Sequence, residues 1–349
     1  MRNIAVLITL LALPLAAQTL PANPDAPSVK IGGLLFADYT YTASVAPPAK
    51  DANGNEINPS SFNISRAYIN VQGNLNRYIS YRITPEVARE TSSSSSLSGS
   101  QEFRIKFAFV QFNLDQWLTK GSWIRAGLNQ TPWTEYEETI YRYRFQGPIL
   151  VDREGFLFSS DAGVTLHYNF PSDYGDLQAG VYNGEGWAHS EVNDQKALQI
   201  RATLRPMPAN AALHGLRVSG FYDTDHYASG LPRNRAIGQV TYEHPRVNVG
   251  IDIVSTTDRP SSSAKETRTH GSSIWATPKF GHGWEALLRH DALRSNTAGK
   301  KTRDIEGVAY WFPLQSGITS ALMFDRDASR GPASGTHTTN YAVHLLVSF

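Results

Sequence analysis

Of the 32 basic residues in this chain, 23 are arginine. Eight bases fall between apolar or aromatic neighbours on the opposite parity: Arg66, Arg82, Arg104, Lys106, Arg125, Arg201, Arg217 and Arg289. A guanidinium is permanently charged and presents donors in a planar fork that matches carboxylate and phosphate oxygens. Bases aligned along a wall that borders water raise the local concentration of small anions. The same bases can instead be neutralised by inward carboxylates such as Glu86, Asp223, Glu285 and Asp291, which gives a mixed wall without preference. The sequence leaves both arrangements open.

A second cluster lies in segment 134–159, where Glu135, Glu137, Glu138, Arg142, Arg144 and Arg153 are interleaved with Tyr136, Tyr141, Tyr143 and Phe145. Folded inward, its aromatics anchor it to a wall while its charges narrow and polarise a passage. Folded outward, it is a surface loop with solvated charges. Enzymatic arrangements are missing: no Gly-x-Ser-x-Gly turn, no pair of histidines at metal-ligand spacing and no phosphate-cradling glycine pattern occurs. His167, near Thr165, reads as a hydrogen-bonded interior histidine. The oxygen-rich stretch Asp51 to Glu56 places Gly54 two positions early for a calcium loop and reads as surface. The expectation is a protein that is not an enzyme and holds no metal or cofactor.

The elements that must position these bases have period two. Apolar or aromatic residues alternate in about sixteen segments, at 29–41, 62–73, 78–88, 103–114, 123–130, 162–170, 177–182, 197–205, 216–222, 236–242, 247–255, 274–280, 284–291, 305–312, 318–325 and 341–349. Short connections at 74–76, 171–175, 244–246, 281–283 and 313–316 alternate with long ones at 46–60, 91–101, 134–159, 256–271 and 328–336. That is the pattern of a membrane-crossing barrel with tight turns on one rim and loops on the other. An arginine facing lipid at mid-depth costs roughly 2–4 kcal/mol, so the phase that points the eight bases into the lumen is forced. A soluble β-sandwich would use the same alternation with its apolar face buried.

Both ends of the chain fit this reading. Arg2, an apolar run over 4–15 and Ala16-Ala17-Gln18 read as a signal peptide, residues 1–17, cut after Ala17. The run is too short for a helix of roughly 20 residues to span a bilayer. A Pro-rich stretch, 18–27, then leads into a barrel over 28–349. No later segment is apolar enough for a spanning helix, and the chain has no cysteine. Loss of the leader removes one base from a formal charge of +1, and a neutral chain argues against a nucleic-acid partner. At the other end Tyr341, Val343, Leu345, Val347 and Phe349 form an every-second-residue series ending on an aromatic carboxy-terminal residue. This looks like the assembly signal of outer-membrane barrels, presented to the barrel assembly machinery.

Several segments resemble the phosphate-selective porin O and P family. Phe62-Asn63-Ile64-Ser65-Arg66-Ala67-Tyr68 followed by Gly73 is similar to its basic strand entering a glycine turn, and Ile105-Lys106-Phe107-Ala108-Phe109-Val110 to its next strands. Gly127 to Glu135 resembles its Gly-Gln-x-x-x-Pro-aromatic-x-x-Glu segment, with Leu128 and Gln130 departing from the commoner Gln and Lys. Asp161-Ala162-Gly163-Val164, Tyr182-Asn183-Gly184-Glu185-Gly186 and Trp284-Glu285 with Arg289 resemble later strands. The resemblance implies a sixteen-stranded homotrimeric channel, in some members selective for phosphate through a ladder of lumenal arginines. The expectation is therefore an all-β transmembrane antiparallel barrel with an infolded constriction loop, seated in outer-membrane lipid and passing small solutes, anions such as phosphate foremost. A non-transport barrel, adhesin or hydrolase, is the alternative.

Overall fold

The computed structural model describes residues 25–90, 92–333 and 335–349, so the leader and positions 18–24 of the Pro-rich stretch lie outside the described residues. Alternation dictates the fold through an inverted burial pattern. In the strand Ala197–Leu204 the polar side chains are inside: Gln199, Arg201 and Thr203 are 5%, 3% and 1% exposed. Leu198, Ile200 and Leu204 are 49%, 42% and 54% exposed. A water-soluble sheet with one buried face would show the opposite, whereas a barrel in hydrocarbon shows this.

Sixteen antiparallel strands close on themselves. They are β1 (Lys30–Ala46), β2 (Ser60–Asn74), β3 (Ile79–Arg89), β4 (Gln101–Asn113), β5 (Trp123–Gln130), β6 (Ser160–Asn169), β7 (Gly175–Tyr182), β8 (Ala197–Leu204), β9 (Leu216–Thr224), β10 (Leu231–His244), β11 (Val247–Asp258), β12 (Thr267–Gly281), β13 (Trp284–Ser295), β14 (Gly299–Trp311), β15 (Thr319–Arg330) and β16 (His337–Ser348). A three-residue strand, His226–Ala228, pairs with the start of β10, and Ala49–Lys50 with Glu56–Ile57 make a small ribbon in the first loop. Strand β1 pairs with both β2 and β16, which removes the open edges that a sandwich would keep. Connections on one rim contain the tight turns and those on the other the long loops, but the alternation is looser than the sequence suggests. The 205–215 connection on the turn side is long, the 296–298 connection on the loop side is short, and strands β11, β12 and β15 run into the segments read as loop.

Closure is made at the carboxy terminus. Gly33 and Phe349 exchange backbone hydrogen bonds at 2.9 and 3.1 Å. The Phe349 ring lies over Gly33, where a Cβ would come within 2.6 Å of it. Tyr341, Val343, Leu345 and Val347 point outward along β16, alternating with buried Ala342, His344 and Leu346. Gly33→Leu, which forces the ring off the seam, is expected to slow or prevent folding into micelles. Heat-modifiable electrophoretic mobility checks this, and a variant that closes like the parent contradicts it.

One-residue bulges in β2 and β4 reset the phase on this wall. Ser65 is the extra residue opposite Phe36 and Ala37, so Phe62 and Ile64 face out on one parity and Ala67, Ile69 and Val71 on the other. Lys106 is the extra residue opposite Thr84 and Pro85, and it brings Phe107 and Phe109 inside with it. A bulge flips every side chain beyond it to the other face.

Candidate functional site

The segment between β5 and β6 folds into the lumen. It contains two helices that the sequence reading treats as loop, α1 (Pro132–Tyr141) and α2 (Leu150–Arg153). The local signal for α1 is present: Pro132 occupies the first helical turn, Glu135 sits beside the amino-terminal dipole, and Arg142 ends the helix in a left-handed conformation at φ 64°. The helix is amphipathic in place. Trp133, Ile140, Tyr141, Tyr143, Phe145, Ile149, Leu150, Val151 and Leu157 are all buried. They pack against Phe221, Ile237, Val254, Trp275, Leu287, Ile305, Met323, Leu346 and Phe36, that is, against β9 to β16 and β1.

Polar anchors fix the same contact. The Tyr143 hydroxyl donates to Glu285 at 3.0 Å, Gln146 to Asp325 at 2.8 Å and Arg153 to Asp291 at 2.6 Å. Backbone oxygens of the segment receive Arg235 at Phe156 (2.8 Å) and Arg289 at Pro148 (3.1 Å). The loop thus fills the lumen beside β9 to β16 and turns its charged edge towards β2 to β5.

Arg66, Arg82, Lys106 and Arg125 come together on that facing wall. Arg66 and Lys106 share one carboxylate, Glu86, at 3.5 and 3.8 Å. Arg125 reaches the loop at Glu135, 2.7 Å away, and also bonds Gln111 at 2.8 Å. Each base is backed by a ring: Lys106 lies 3.9 Å from the Trp187 centroid, Arg82 4.4 Å from Phe107, and Arg125 3.7 Å from Trp123 and 4.9 Å from Phe109. Such stacking holds a guanidinium flat and leaves its edge donors free. Arg82 differs from the rest. It donates to Thr84 at 2.9 Å and to Asn70 at 2.7 Å, and among the described residues it has no carboxylate partner. A cavity of about 280 Å³ opens beside it, lined by Lys30, Gln72, Gln111, Arg125 and Gln130 among others.

The other four bases do not join this group. Arg104 pairs with Glu90 and Glu102 at 2.8 and 3.5 Å, towards the loop rim. Arg217 pairs with Glu243 at the turn rim. Arg201 and Arg289 face inward as the parity requires, but the loop covers them. Arg201 is 3% exposed, lies 4.4 Å from the Tyr136 centroid and donates to Pro132 O and Asp176. Arg289 is 4% exposed, lies 5.1 Å from Tyr141 and bonds Asp291 at 2.8 Å. The expectation that these two line an open passage is corrected: they hold the loop, and Lys106, 3% exposed against Trp187, is likewise covered. Seven of the eight bases therefore have a carboxylate partner among the described residues, so the mixed-charge arrangement describes most of the wall. Of the loop charges, Arg144 is spent on Glu138 at 2.6 Å, Arg153 on Asp291, and Arg142 stacks on Trp311 at 4.7 Å, 3.9 Å from Glu285.

His167 bonds Asn169 at 2.9 Å and stacks on Trp123, the interior role read from the sequence. Asp51 accepts from Asn53 and Asn55 backbone amides in an exposed turn. Lys30, Gln72 and Gln111 were not singled out by sequence, although Gln72 and Gln111 have the inward parity once the bulges are placed.

Glu137, on α1, is 3% exposed and accepts from the Trp133 indole at 2.6 Å. Burial, and then the Asp252 carboxylate across from it, raise its carboxyl well above the usual range. A raised acid stabilises the seated loop below its unfolded value, near 4.5, and that contribution is lost as pH rises towards the folded value. Glu137→Gln is expected to flatten the pH dependence of loop seating. Single-channel conductance recorded from acid to alkaline pH checks this, and equal slopes for parent and variant contradict it.

The family model described as "Phosphate-selective porin O and P" matches residues 47–290. No curated protein sequence matches. Among solved structures, the chain is similar to an anion-selective porin from Comamonas acidovorans (13% identity, 93% of this chain and 100% of that one, TM-score 0.62). It is also similar to a loop L8 deletion mutant of OmpT, an outer-membrane protein of Vibrio cholerae (12%, 93% and 100%, TM-score 0.62), and to the outer-membrane channel DcaP of Acinetobacter baumannii (12%, 93% and 97%, TM-score 0.57). At these identities the structures speak for the fold.

Proposed function

The chain belongs to the family of phosphate-selective porins O and P, an outer-membrane channel for passive diffusion, and from that premise we propose that the solutes it favours are small anions, phosphate among them. The observation that carries this reading is Arg82, a guanidinium beside a polar cavity with amide, hydroxyl and ring partners and, among the described residues, no carboxylate in salt-bridge reach. Around it, Arg66 and Lys106 share a single acid, so the wall of β2 to β5 holds more positive than negative charge. An uncompensated base in a narrow passage of reduced dielectric attracts anions and repels cations.

In this reading solutes enter between the charged edge of the loop and the bases of β2 to β5, pass Arg66, and leave past Arg82, Arg125 and Lys30. Glu135, Glu138, Arg142, Arg144 and Arg153 shape the constriction, and Arg104 and Arg217 stand at the two mouths. No covalent step is involved. Export by cleavage after Ala17, recognition of the Tyr341 to Phe349 series by the assembly machinery, and association into a homotrimer belong to the same proposal, supported by the leader composition and by the family. The loop rim faces the outside of the cell and the turn rim the periplasm. Reversal potentials of the purified channel under a potassium chloride gradient test the selectivity: the sign expected is that of anion preference, and cation preference would overturn it.

A further inference from the structure

The outer wall of the barrel is apolar nearly everywhere, but not on β12 to β15. There the outward positions form layers set by strand register. Nearest the loop rim, His270, Arg294 and Lys300 stand directly opposite one another on β12, β13 and β14, all exposed. Below them run Ser272, Ala292, Thr302 and Arg330. Next come His290 and Asp304, 2.6 Å apart, then Glu306 and Arg326 at 3.7 Å, the latter opposite Tyr341. Ile274 stands directly opposite His290 and Leu288 opposite Glu306, so the wall turns apolar beside these pairs. A recess of about 460 Å³ lies there, lined by Tyr242, Val249, Ile251, Ile274 and Leu288, with His290, Asp304 and Glu306 at its margin.

Two features of this face call for a ligand. Like charges directly opposite each other on neighbouring strands have Cβ atoms about 4.5–5.5 Å apart and repel. Among the described residues Arg294 and Lys300 have no ion pair that relieves this. Ionisable side chains on the lipid face are also unfavourable where hydrocarbon touches them. An amphiphile whose parts match the layers answers both: phosphate at the basic row, sugar hydroxyls at the His290–Asp304 and Glu306–Arg326 pairs, an acyl chain in the recess.

We propose that the outer face of β12 to β15 is a binding site for a phosphorylated glycolipid of the outer leaflet. The inference rests on the loop rim facing outward, as proposed above. Its phosphate is held by Arg294 and Lys300 with His270 beside them, and its chain lies along Ile274 and Leu288.

The test uses the refolded full chain in detergent, native mass spectrometry and bisphosphorylated lipid A as probe. One retained lipid A per chain is expected, with affinity falling at least tenfold in Arg294→Gln/Lys300→Gln while that variant keeps the parent's channel conductance, which shows that it is folded. Equal binding by the double variant overturns the proposal. So does equal binding of a zwitterionic phospholipid, or displacement by millimolar inorganic phosphate. Disulfide-linked pairs formed by Arg294→Cys overturn it as well, because the wall would then meet a second copy. An electrically silent parent would remove the channel reading and leave the lipid result standing by itself.

Discussion

Arg82→Gln lowers the anion-to-cation permeability ratio about fivefold, and Arg82→Glu inverts the preference. A unit charge about 4 Å from a passing ion is worth about 1 kcal/mol even at the dielectric of bulk water and more in a confined passage, which sets fivefold as the lower end of the effect. The other bases of the wall lose part of this influence to their own carboxylates, as Arg66 and Lys106 do to Glu86 and Arg125 to Glu135. Arg82 has no carboxylate in salt-bridge reach among the described residues, and Phe107 behind it with Asn70 and Thr84 beside it keep its position. Reversal potentials measure the ratio, with Arg268→Gln as a control at an exposed site on the loop rim. An Arg82→Gln channel with the parent's reversal potential would show that the filter lies elsewhere.

Trp133→Ala has the largest expected structural effect. The indole is fully buried between α1 and β9, within 5.7 Å of the Phe221 centroid, and its N–H satisfies Glu137. Removing a buried aromatic of this size costs about 3–5 kcal/mol, and here the Glu137 carboxyl also loses its donor. The loop–wall contact bears the loss, because the barrel's own strand pairing does not depend on this side chain. The expected result is a folded barrel with larger and noisier conductance and weaker selectivity. Single-channel recordings alongside heat-modifiable mobility check it, and unchanged conductance with intact mobility would contradict the loop's role as a plug.

Much of the architecture was legible because the barrel's rule is local. Along β8, each residue's face follows from its parity, and Leu198, Ile200 and Leu204 announce it without reference to any other strand. The bulges at Ser65 and Lys106 escaped because an extra residue leaves no mark in composition, only in register against the neighbouring strand. The inward turn of the 134–159 segment could be entertained from its aromatics. Its helix and its choice of wall depend on the shape of the lumen around Trp275, Ile305 and Met323.

The arginine ladder shows the same limit. Parity gave direction correctly for Arg201 and Arg289, yet could not say that Tyr136, Tyr141 and the backbone at Pro132 and Pro148 would cover them. Nor could it say which base would lack a carboxylate, since the partner of Arg125 comes from the infolded loop and that of Arg153 from a strand distant in sequence.

The central claim is that solutes pass along β2 to β5 and not along the wall that the loop covers. The chain has no cysteine, so single cysteines at Gln72 and Gln111 on one wall and at Gln239 on the other can be tested against a charged thiol reagent during recording. Stepwise loss of current on modifying Gln72→Cys and Gln111→Cys, with none for Gln239→Cys, is the predicted result. Block from Gln239→Cys with the other two silent would contradict the account.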